Sequence, residues 1–62
     1  MLNNKKIDDM ENIEVIELEN GFYKLIPFEG YILYNTKIKT YHVEAVTKNV
    51  NEFIAVRHEE VI

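Results

Sequence analysis

Between a run rich in β-branched and charged residues at 13–19 and the segment at 22–26 that answers it, the chain carries the dipeptide Asn20-Gly21. No other feature narrows the fold as much. Asn and Gly tolerate the positive φ that a type I′ turn needs at both central positions, and such a turn twists in the same sense as the strands it joins. A two-residue loop here sets Glu19 opposite Phe22, Leu18 opposite Tyr23, Glu17 opposite Lys24, Ile16 opposite Leu25 and Val15 opposite Ile26. In that register Leu18, Tyr23, Ile16 and Leu25 share an apolar face, and a Glu17–Lys24 charge pair lies on the other.

The rest of the chain reads outward from this hairpin. Pro27 cannot donate to a ladder and ends the second strand, and Phe28-Glu29-Gly30 turns the chain with Gly30 at positive φ. Residues 31–35 are apolar on both alternating faces, which predicts a central strand covered on two sides. A four-residue loop between Asn35 and Thr40 then places Tyr34 opposite Tyr41, Leu33 opposite His42, Ile32 opposite Val43 and Tyr31 opposite Glu44. The fourth strand runs to about Val46, an Asn-rich loop follows, and residues 53–57 form a fifth.

Residues 1–12 form a polar arm, in which Ile7, Met10 and Ile13 have the spacing of a single helical turn behind Asp8 and Asp9. Residues 58–62 are a tail. Ala is scarce and no 3.6-residue apolar stripe lasts beyond two turns, so a helix-rich fold is the weaker expectation. The expected fold is all-β: one small domain over residues 1–62, an antiparallel meander of about five strands forming a curled sheet or a small open barrel.

Size and composition bound the functional classes. A chain of 62 residues buries only about 60% of the surface its unfolded form exposes. With no cysteine it has neither a disulfide nor a thiolate zinc site to supplement a thin core, so self-association as a homodimer is expected. No apolar stretch reaches membrane length and no secretory h-region precedes Glu11, which predicts a cytoplasmic protein with no membrane partner. The net charge of -4 argues against nucleic acid as a principal partner. Abundant Ile, Asn, Lys and Glu point to an AT-rich genome, that of a low-GC bacterium or its phage.

No constellation of catalytic residues emerges. The chain has no Ser or Cys nucleophile, its Thr residues lie in or beside loops, and no glycine-rich phosphate loop is present. His58-Glu59-Glu60 matches no metal-ligand spacing, and His42 reads as a rim residue, so no metal or cofactor is expected. One nucleic-acid alternative stands: Tyr34 and Tyr41 flanking Lys37 and Lys39 form an aromatic platform beside cations, as in single-strand binders.

The remaining signal is aromatic excess. Phe22, Tyr23, Phe28, Tyr31, Tyr34, Tyr41 and Phe53 are more rings than so thin a core hides. The expected function is therefore a small non-enzymatic protein–protein interaction module, in its narrower form a phage-type accessory or inhibitory protein acting on a host protein. The expected contacts are the turn residues Phe28, Glu29 and Tyr31, together with the carboxylates Glu17 and Glu19 of the acidic first hairpin.

Overall fold

The computed structural model describes residues 5–7 and 10–61, with side chains described from Met10 onward. The chain is all-β and antiparallel, in two small sheets. The first has the order β1-β2-β3-β6, formed by Lys5–Ile7, Ile13–Glu17, Tyr23–Pro27 and Ala45–Thr47. The second has the order β5-β4-β7, formed by Thr40–His42, Tyr31–Asn35 and Phe53–Arg57. Neither sheet closes into a barrel. Among the described residues no helix is long and apolar enough to cross a membrane.

The first hairpin shows how one residue redirects a sheet. Asn20 (φ 65°) and Gly21 (φ 79°) take the expected positive φ, and Phe22 N–H closes the turn on Glu19 C=O at 3.3 Å. Leu18 N–H, however, takes Phe22 C=O at 2.8 Å. Leu18 and Glu19 thus both stand opposite Phe22, a β-bulge that shifts every later pair by one. The pairs are Glu17 with Tyr23, Ile16 with Lys24, Val15 with Leu25, Glu14 with Ile26 and Ile13 with Pro27. The expected Glu17–Lys24 pair is not formed; Lys24 Nζ lies 4.0 Å from Glu44 Oε1 instead. Because side chains alternate, this slip decides which residues enter the core. Val15 joins Leu25, and Ile16 turns outward.

The second hairpin keeps its expected register from Asn35–Thr40 through Tyr34–Tyr41 to Leu33–His42. There it stops. Val43 and Glu44 bend away, so the expected pairs Ile32–Val43 and Tyr31–Glu44 do not form, and Ala45–Thr47 crosses to the first sheet beside β3. One expected strand thus becomes β5 and β6 in different sheets. The last strand pairs with the other side of β4, from Tyr31–Arg57 to Asn35–Phe53. Lys5–Ile7 pairs with β2 rather than coiling into a helical turn, while Asp8 and Asp9 lie outside the described residues. The tail carries a 3-10 turn at His58–Glu60.

The core sits between the sheets: Ile13 and Val15 of β2, Leu25 of β3, Leu33 of β4 and Phe53 of β7, with Tyr23, Ala45 and Ala55 packed around them. Asn35 is the buried polar residue of this layer. Its Oδ1 accepts the backbone N–H groups of Lys37 (2.9 Å) and Ile38 (3.0 Å), and its Nδ2 donates to Glu52 Oε1 at 3.4 Å. The side chain supplies acceptors that the loop backbone lacks, which fixes the four-residue connection.

Candidate interaction surfaces

β4 was expected to be covered on both faces. The structure covers one. Leu33 and Asn35 face the first sheet, whereas Ile32 and Tyr34 face away, joined by Tyr41 of β5 and by Ile54 and Val56 of β7. All the described strands belong to the two sheets, so no third layer of strands covers this face among the described residues. Within these three strands the outer face carries no charged side chain. Tyr41 is 50% exposed and Ile54 46% exposed. The Tyr34 and Tyr41 rings lie 4.8 Å apart, tilted by 47°, so each covers part of the other's face.

The two lysines assigned to the nucleic-acid alternative sit in the exposed loop at the end of this face. Lys37 Nζ is 3.9 Å from Glu52 Oε2, and Lys39 holds φ 59° at the loop's last position. The tyrosines and lysines therefore share one end of the sheet, with one cation beside a carboxylate.

The corner at residues 28–31 forms a separate surface. Tyr31 N–H reaches Phe28 C=O at 2.9 Å, and Gly30 takes φ 91° at the turn's third position. Phe28 is 51% exposed. His58 N–H donates to Gly30 C=O at 2.9 Å, bringing the chain end against the turn. Between them lies an open groove of about 420 Å³, walled by Glu29, Tyr31, Arg57, His58 and Glu59. Arg57 Nη2 is held by Glu59 Oε2 at 2.9 Å. The sequence placed Phe28, Glu29 and Tyr31 at a contact corner; it held no signal that the last strand would supply the opposite wall.

Glu17 and Glu19 do not form one acidic face. Glu17 lies on the core side opposite Tyr23, half-buried, while Glu19 is exposed in the turn and Glu14 points to the outer side of the first sheet. The bulge separates them. Phe22, also exposed, lies under Lys48, whose Nζ is 5.0 Å from the ring centroid. Among the described residues no three His, Asp or Glu side chains are grouped to hold a metal ion. Comparison with protein-family models, curated proteins and solved structures gives no match.

Proposed function

We propose that this chain is a non-enzymatic protein–protein interaction module whose principal contact is the outer face of the second sheet. One observation carries the reading: Ile32, Tyr34, Tyr41, Ile54 and Val56 form an uncharged face on a chain whose formal charge is -4. Tyrosine-rich patches free of charge suit desolvation by a partner, and charged residues are depleted from the cores of such contacts. The exposed Phe28 corner and its groove supply a second, more polar contact. A phage-type accessory or inhibitory role toward a host protein is the narrower form, supported by short length and acidic composition.

The test uses the full chain immobilised in lysate of its source cell. Wild-type protein should retain a discrete partner, and Tyr41→Glu should release it. Oligonucleotide retention with a steep salt dependence, abolished by Lys37→Glu with Lys39→Glu, would replace this reading with the nucleic-acid one.

A further inference from the structure

β7 is an edge strand, and at five residues it is longer than the other edges β1, β5 and β6. Its backbone groups divide into two sets. Beyond the strand's ends the ladder to β4 continues through Thr36 N–H to Glu52 C=O at 2.7 Å and His58 N–H to Gly30 C=O at 2.9 Å. Bonded pairs alternate along an antiparallel ladder. Ile54 and Val56 therefore direct their groups to β4, and Phe53, Ala55 and Arg57 direct theirs to the free side.

Adjacent turns use two of those outward groups. Phe53 N–H donates to Val50 C=O, and Arg57 C=O, at the N-cap of the final 3-10 turn, accepts that turn's first bond. Four groups remain: Phe53 C=O, Ala55 N–H, Ala55 C=O and Arg57 N–H. None has a backbone partner among the described residues. The strand carries no proline, lysine or bulge, and its single charged side chain, Arg57, stands at its last position.

This set is complementary to itself. Rotation about a two-fold axis at Ala55 brings each Ala55 N–H to the Ala55 C=O of the second copy, and each Arg57 N–H to the Phe53 C=O of the second copy. Every free group is used, and none is asked of the turns. A slip of one or two residues leaves some unmatched. Side chains agree with the register: Ile54 meets Val56 of the second copy, Ala55 meets its equivalent, and Arg57 lies across from Phe53, so no like charges meet. A groove of about 230 Å³ beside this edge, lined by residues including Met10, Asn12, Ile13, Phe53 and Ala55, leaves room for the inner side chains of an added strand.

We propose that β7 pairs antiparallel with β7 of a second copy about a two-fold axis at Ala55, making one six-stranded sheet from two three-stranded ones. The two uncharged outer faces then become continuous through Ile54 and Val56. Pairing over about 17 Å of strand covers less than a standard interface of roughly 1,600 Å², so the dimer is reversible and concentration-dependent.

Sedimentation of the full chain from micromolar to millimolar concentration should show monomer passing to dimer. Chemical synthesis with Ala55 N-methylated removes the central donor while leaving the β4 ladder intact, and should raise the dissociation constant at least about tenfold. An equimolar mixture of Ile54→Cys and Val56→Cys chains, oxidised, should give the mixed disulfide well above its statistical share. A monomer at every concentration, a dimer indifferent to N-methylation, or a statistical disulfide mixture would overturn the proposal. These readouts are independent of partner binding, which is read by Tyr41→Glu on the far strand of the sheet.

Discussion

Leu18 and Phe22 face each other across the first turn, Leu18 N–H donating to Phe22 C=O at 2.8 Å, with Glu19 left as the extra residue beside them. The core depends on this pair more than on the turn itself. It places Val15 and Leu25 on the inner face together, and both are buried.

Deleting Glu19 should therefore be tolerated. The shortened chain joins Leu18 directly to Asn20-Gly21, a two-residue loop that Leu18 and Phe22 can close without changing any pair from Ile13–Pro27 to Glu17–Tyr23. The expected change in unfolding free energy in urea is within about 1 kcal/mol, with NMR contacts between Val15 and Leu25 retained. Loss of those contacts would show that the bulge itself is required.

Gly21→Ala tests the turn separately. A Cβ at Gly21 meets nothing within 4 Å, so any cost comes from the backbone at φ 79°. The expected loss is about 1–2 kcal/mol, and Gly21→Asn should lose less because Asn accepts the left-handed region more readily. Paired urea titrations check the order.

Asn35→Ala should destabilise by about 2 kcal/mol, since it removes the acceptor for Lys37 and Ile38 N–H and leaves space in a buried position. Asn35→Asp keeps the acceptor but loses the Nδ2 donor and sets a buried carboxylate against Glu52, so it too should fall below wild type. Hydrogen exchange at the Lys37 and Ile38 amides should accelerate most in the Ala variant.

The two faces of the second sheet should respond oppositely. Leu33→Ala empties a fully buried site and should cost about 2–5 kcal/mol, enough to leave so small a domain largely unfolded by circular dichroism. Ile54→Thr, on the outer face of the same sheet, keeps β-branching and should change stability by less than about 1 kcal/mol. An equally large loss at Ile54 would mean that this face is held for stability rather than for contact.

The all-β class, the positive φ at Asn20, Gly21 and Gly30, and the Tyr34–Tyr41 pairing were legible because each follows from local chemistry: turn residues, alternation and cross-strand packing. The bulge was not. It differs from a plain two-residue turn by a single hydrogen-bond choice at Leu18, for which the sequence offers no preference. The crossing at Val43-Glu44 escaped for another reason. His42 to Val46 still reads as one extended run, and only the competition of β3 for Ala45–Thr47 divides it. The candidate face was half visible. Its residues were recognised as apolar on both sides of β4, but which side would be covered depends on how the two sheets stack.

That crossing also bears on how the molecule acquires its shape. The chain leaves the first sheet after β3, returns to it for β6, and departs again for β7. Pairing of Leu25 with Ala45 and of Tyr31 with Arg57 must each close a long stretch of chain that contains at least one strand of the opposite sheet. Each sheet takes one edge strand, β6 or β7, from the chain beyond the Val43-Glu44 bend, so cutting there should leave two fragments that order only when mixed. Loop closure between distant positions is also slow relative to hairpin formation. A single cooperative folding step, slower than that of a plain meander of equal length, is the kinetic signature such interlacing imposes.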